Sequence, residues 1–253
     1  MISVDVLAFA AYQTAKISIP TIIDGLLGRV DARVCDRRLD GWSRALLRQA
    51  RVELDVRGRD NVALGESYVV MSNHQSHYDI PVVFQALGIP LRMVAKKELF
   101  GIPVMGQAMR DSGFVEVDRG RHAKAVRSLS SARERLEKDG TSVWIAPEGT
   151  RSKDGELAKF KRGGFHLAID AGLRILPVAI DGSRNVLPAK GLEVHKGQTV
   201  RVAICPPISA GEYGRPRVAE LIASVREAIA SRLPGVADGH PPPSSRGASE
   251  TLG

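Results

Sequence analysis

The hydrophobic pattern divides the chain into a long apolar beginning, a basic amphipathic stretch, an alternation of short apolar runs with helical segments, and a polar end. Residues Ile2 to Leu27 are mostly apolar but are interrupted by Asp5, Lys16 and Asp24, and Pro20 is placed to kink any helix formed there. The stretch falls short of the roughly 20 uninterrupted apolar residues of a spanning helix. No basic residue precedes it, as one would in a signal peptide. It reads as a helix that lies in a membrane interface or covers part of the domain. The next segment carries Arg29, Arg33, Arg37, Arg38, Arg44, Arg48 and Arg51 against Asp31, Asp36 and Asp40. Trp42, Leu46, Leu47 and Ala50 recur in it at roughly helical spacing. Such a helix either rests on anionic lipid or packs on the domain with a solvated arginine face, and its apolar neighbour favours the membrane.

From Val52 the pattern predicts strands at Val52–Val56, Ser67–Met71, Leu91–Ala95, Phe114–Val117, Ser142–Ala146, Ile175–Ile180 and Thr199–Cys205. It predicts helices at Ile80–Leu87, Ala123–Lys138, Gly164–Gly172 and Arg217–Arg232. This alternation points to one α/β domain over residues 52–233, preceded by a helical element over 1–51. After Leu233 the chain turns to Pro, Gly and Ser, as in Pro241-Pro242-Pro243-Ser244-Ser245, and residues 234–253 read as a disordered tail.

Composition narrows the class of partner. With 253 residues, 43% hydrophobic and 25% charged, the chain is ordinary for a globular protein and not for a disordered one. A net charge of +8 is less ordinary and favours a polyanion: nucleic acid, an anionic membrane or a phosphorylated substrate. Nucleic-acid binding calls for basic and aromatic residues interleaved on one face. Aromatics are only 5% here, and the basic residues cluster beside glycines or in the N-terminal segment, so nucleic acid is not the expected partner. Cys35 and Cys205 form neither a disulfide framework nor a zinc site; they read as free thiols in a reducing compartment.

Of the six histidines, His74 has an aspartate five residues on, in Asn73-His74-Gln75-Ser76-His77-Tyr78-Asp79. Chance produces such a pair often, so its context matters more than its spacing. It falls where a predicted strand gives way to a helix, the kind of loop end at which α/β proteins place reactive groups. A neutral histidine is a natural general base toward an alcohol, and an aspartate at Nδ1 would orient it and stabilise the imidazolium. On a continuous helix the two side chains would lie about 140° apart. Their meeting therefore requires a break or a helix start inside the motif.

Further along, Pro147-Glu148-Gly149-Thr150-Arg151-Ser152 follows a strand and offers close backbone approach at Gly149 and a phosphate-binding fork at Arg151. Gly113-Phe114-Val115-Glu116-Val117-Asp118-Arg119 places another arginine past a strand. Phe160-Lys161-Arg162-Gly163-Gly164 adds two cations beside a glycine pair.

The order of these blocks, ending in Leu176-Pro177-Val178, resembles the glycerolipid acyltransferases, and most of all the 1-acylglycerol-3-phosphate acyltransferases, over roughly Val52 to Ile208. The resemblance implies an α/β domain around a mixed β-sheet with flanking helices, preceded by an N-terminal helical membrane-associating element. It implies His74 as general base with Asp79 as its partner. It implies Glu148, Gly149, Thr150 and Arg151 as the acceptor's glycerol-phosphate block, with Lys96 and Arg119 at the same phosphate pocket and Pro177 shaping the acceptor or acyl site. The implied substrates are lysophosphatidate and an acyl thioester, acyl-CoA or acyl carrier protein, with no cofactor and no metal. Another lyso-lipid, such as a lyso-aminolipid, is the alternative acceptor. The implied place is the cytoplasmic face of the cell membrane, bound peripherally at an anionic surface. A thioester is already activated, so no covalent acyl-enzyme is required and Ser76 reads as a local hydrogen-bonder. The sequence departs from the family pattern at Ala146, where relatives usually carry phenylalanine, and its N-terminus is less hydrophobic than in many relatives.

Overall fold

The computed structural model describes residues 3–63, 65–118 and 140–233. Two helices lead: α1 (Val4–Leu26) and α2 (Ala32–Gln49), the latter capped by Asp31, whose carboxylate accepts the N–H groups of Arg33 and Val34. Then follow β1 (Glu53–Arg57), β2 (Tyr68–Ser72), α3 (Asp79–Leu87), β3 (Leu91–Lys96), α4 (Lys97–Phe100), α5 (Met105–Asp111), β4 (Val115–Val117) and β5 (Ser142–Ile145). The chain continues through α6 (Gly163–Asp170), β6 (Arg174–Asp181), α7 (Ser183–Val186), β7 (Thr199–Ile204), β8 (Ile208–Ser209) and α8 (Val218–Ala230). The expected helix at Ala123–Lys138 and the expected tail lie outside the described residues.

Among the described residues eight strands form one sheet in the order β1-β7-β6-β2-β5-β3-β4, with β8 pairing β6. Neighbours β6, β2, β5, β3 and β4 all run parallel, and β7 is antiparallel to β6. The sheet is therefore mixed, as the resemblance implied. It is buried on both faces, which is why its central strands read as continuous apolar runs and not as alternating ones. Tyr68 and Val70 of β2 join Leu176, Val178 and Ile180 of β6 in a core under α2 and α3. Val69 and Met71 turn the other way, to Phe165 of α6 and Leu221, Val225 and Ile229 of α8. The shared direction of the parallel strands gathers the C-terminal ends of β2, β5, β3 and β4 along one edge, the place where open α/β sheets bind ligands.

Two expectations for the N-terminal segment change. Helix α1 runs unbroken across Pro20 and is long and apolar enough to cross a membrane by length and composition. It is nevertheless tied to the domain at both ends, by Asp5–Lys196 and Asp24–Arg38 ion pairs of 2.8 Å each, and it packs on α2 and α5. In α2 the apolar positions Cys35, Leu39, Leu46 and Leu47 are buried, and Trp42 Nε1 donates to Thr14 Oγ1 at 3.1 Å. Trp42 thus joins the two helices and does not face outward, because α3 and the sheet already take up the apolar stripe of α2. The outward apolar residues belong to α1: Tyr12, Ile19, Ile23 and Leu26 are exposed and, by spacing, share one face.

Candidate active site

Strand β2 ends at Ser72, and the next six residues are not helical. Helix α3 begins at Asp79 itself, which supplies the helix start that a His-x-x-x-x-Asp contact requires. His74 Nδ1 lies 2.7 Å from Asp79 Oδ2, and the same oxygen accepts the backbone N–H groups of Gln75 at 2.7 Å and Ser76 at 2.9 Å. Asp79 is fully buried at the helix N-terminus, where the backbone dipoles stabilise its negative charge. Its hold on Nδ1 leaves Nε2 available to a substrate. The imidazole also meets the Trp144 ring edge-on at 5.8 Å, and Trp144 Nε1 donates to Ser72 Oγ.

The main chain around His74 is fixed as firmly as the ring. Asn73 grips β6 through both ends of its amide: Nδ2 donates to Ile180 O and Oδ1 accepts from Ile180 N, each at 2.8 Å. The His74 N–H donates to Glu148 Oε1 at 2.9 Å, and the Ser152 N–H donates to the His74 carbonyl at 2.7 Å. The second oxygen of Glu148 accepts the Ala158 N–H at 2.9 Å. Burial pushes the Glu148 carboxyl up, while these two N–H groups pull it down. Glu148 is only 3% exposed, with both oxygens engaged by backbone N–H groups. It joins the main chain at His74 to that at Ala158.

A groove of about 980 Å³ opens in front of His74. Lys96, Gly149, Thr150, Arg151 and Lys161 line it with His77, while Ile80, Met93, Leu99, Val117, Trp144 and Ile145 make it apolar elsewhere. Ala146, at the departure from the family pattern, is also part of its wall. His77 is held neutral: partial desolvation and then the Arg151 charge push its pKa down to about 4. Ser76 is fully buried with its hydroxyl donating to Leu187 O at 2.7 Å, so it offers no nucleophile.

The structure therefore brings together His74, Asp79, Lys96, Gly149, Thr150 and Arg151. Arg119 lies outside the described residues. Pro177 is not among the residues that line the groove: it is buried in β6 opposite Met71, where the antiparallel partner changes from β8 to β7 and a missing N–H is tolerated. Reading the sequence passed over Asn73, Trp144 and the placement of Lys161. Asn73 directly precedes His74, and Trp144 is the one aromatic in a short strand, so both had a local signal.

Residues 53–181 match the model of the Acyltransferase family. The 1-acyl-sn-glycerol-3-phosphate acyltransferase of Escherichia coli (strain K12) is 34% identical over 171 residues, covering 66% of this chain and 69% of that protein. The enzyme of the same name from Salmonella typhimurium is 34% identical over 165 residues, 65% of this chain and 66% of that protein. The chain thus spans about two thirds of the length of the curated bacterial relatives it matches. Among solved structures, the 1-acyl-sn-glycerophosphate (LPA) acyltransferase PlsC of Thermotoga maritima superposes with a TM-score of 0.73 at 25% identity, covering 98% of this chain and 100% of that one.

Proposed function

The chain belongs to the acyltransferase family, and from that premise we propose that it moves a fatty acyl group from a thioester donor to the free hydroxyl of 1-acylglycerol 3-phosphate, giving phosphatidic acid. The observation that carries this reading is the 2.7 Å contact between His74 Nδ1 and buried Asp79, set at the end of a groove lined by Lys96 and Arg151. The matched relatives bear the name of this activity.

Nε2 of His74 takes the proton of the acceptor hydroxyl as its oxygen attacks the thioester carbonyl. Asp79 stabilises the imidazolium that results. Collapse of the tetrahedral intermediate expels the thiolate, and the proton held on His74 passes to that leaving group. Thioester and hydroxyl exchange directly, with no acyl-enzyme. Arg151 and Lys96 meet the acceptor's phosphate, and the apolar wall takes up an acyl chain. The exposed face of α1, beside the exposed arginines Arg33, Arg37 and Arg48 of α2, favours peripheral attachment to an anionic membrane from which the acceptor is drawn.

The test is an acyl-transfer assay with vesicles, offering acyl-CoA or acyl carrier protein as donor and lysophosphatidate or a lyso-aminolipid as acceptor. Phosphatidic acid should form with lysophosphatidate. Arg151→Ala should raise KM for that acceptor by about tenfold or more, as expected for loss of a charged hydrogen bond, and leave KM for the donor unchanged. An effect confined to the donor would show that Arg151 holds the wrong substrate for this reading.

A further inference from the structure

In the sequence Lys161 is one of two adjacent cations beside a glycine pair; the fold seats it on the loop that carries Arg151. Its backbone N–H donates to Pro147 O at 2.8 Å, which fixes residue 161 against the start of the loop carrying Arg151. The side chain then runs across Gly149. A Cβ at position 149 would lie 2.6 Å from Lys161 Nζ, 2.9 Å from its Cε and 3.1 Å from its Cδ. Gly149 also has a φ of +71°, in the left-handed region that favours glycine. The glycine thus serves two purposes: it permits the turn and leaves room for the ammonium group.

Among the described residues six cations line the groove that begins at His74, namely Lys96, Arg151, Lys159, Lys161, Arg162 and Arg226, and of these Lys161 is the one that lies across Gly149. Lys97, next to Lys96, differs from them, since its ammonium group pairs with Asp118 at 3.2 Å. Among the described residues no carboxylate lies within ion-pair distance of Lys96, Arg151 or Lys161. His77 on the same wall is neutral and compensates nothing. Like charges gathered in one groove repel one another until an anion enters. A phosphate monoester carries about −1.5 to −2 near neutral pH and offsets them better than a phosphodiester with its single charge.

We infer that Lys161, held in the space left by Gly149, sets a preference for acceptors bearing a phosphate monoester over those bearing a phosphodiester. This rests on the reading of the groove as an acceptor site, and the experiment separates the two. Acyl transfer is measured with 1-acylglycerol 3-phosphate and with 1-acylglycerol-3-phosphoglycerol, which share the hydroxyl that reacts. The enzymes are wild type, Lys161→Met, Gly149→Ala, the double variant and Lys153→Met, the last removing a cation of the same segment that lies outside the groove.

Wild type should prefer the monoester. Lys161→Met should raise KM for the monoester by about tenfold to a hundredfold, the range for losing a hydrogen bond to a charged group, with kcat within about twofold. The diester's KM should change by less than about threefold, so that the preference narrows. Gly149→Ala should show the same narrowing, and the double variant should narrow it no further, since both changes remove one interaction. Lys153→Met should leave the preference intact. An equal loss with both acceptors, a fall in kcat alone, or an unchanged KM in Lys161→Met would each overturn the inference. A wild type that acylates neither acceptor would overturn the reading of the groove itself, and the inference with it.

Discussion

His74 is held through its main chain as well as its ring. Glu148 accepts the N–H of His74 and Ser152 donates to its carbonyl, so the segment that carries Arg151 between them is bolted to His74. Glu148→Gln keeps the volume but places an NH₂ group against one of two backbone N–H groups, leaving a buried donor unsatisfied. We expect kcat to fall by about tenfold to a hundredfold, the range for a small misplacement of a catalytic group, with little change in KM for the donor; steady-state kinetics on the folded variant would check it. His77 makes a different prediction, about pH. Its neutral form is favoured in the folded protein, so the unfolded chain takes up a proton first as the pH falls. The stability it contributes is complete above pH 6.5 and is lost as the pH falls toward about 4. Thermal unfolding across that window should show a smaller decline in Tm for His77→Asn than for wild type. The difference between the two curves isolates His77 from Glu148, whose raised pKa acts with the opposite sign.

Parallel strands do most of the work of assembly. β2, β5, β3 and β4 point the same way, so four segments far apart in sequence deliver their loops to one edge. The elements themselves were legible: the predicted strands from Val52 to Cys205 fall within a residue or so of the observed ones, because a sheet covered on both faces writes itself as apolar runs between polar breaks. The order of the strands was not legible, since it depends on which helix crosses over which face. Nor were the short helices α4 and α5, at four and seven residues too brief to show a period. Helix α1 continues across Pro20. Of the two readings open for α2, packing on the domain is the one that the Trp42 contact with Thr14 of α1 supports. The exposed face of α1 carries its own prediction. Ile19→Glu combined with Ile23→Glu should weaken binding to anionic vesicles by at least about tenfold, given the apolar transfer energy of two side chains, while leaving the helix's ion pairs to Lys196 and Arg38 in place. Sedimentation with vesicles measures it, and unaltered binding would count against α1 as the attachment surface.

On the scale of the molecule, two groups of cations stand out within the net charge of +8. One lies along the solvated side of α2. The other lines the groove, where Lys96, Arg151 and Lys161 are joined by Lys159, Arg162 and Arg226. Sequence order pointed to Lys96, Arg151 and Lys161 through their neighbouring glycines and strand ends, while the partners of Glu148 and Pro177, backbone N–H groups and the sheet, became visible only in the fold. The account stands on His74 acting as the base. The measurement that tests this most directly is the turnover of purified His74→Ala with saturating acyl donor and lysophosphatidate, taken beside its thermal unfolding. The predicted result is a loss of about 10²–10⁴-fold in kcat with Tm close to wild type; turnover near the wild-type rate in the folded variant would contradict it.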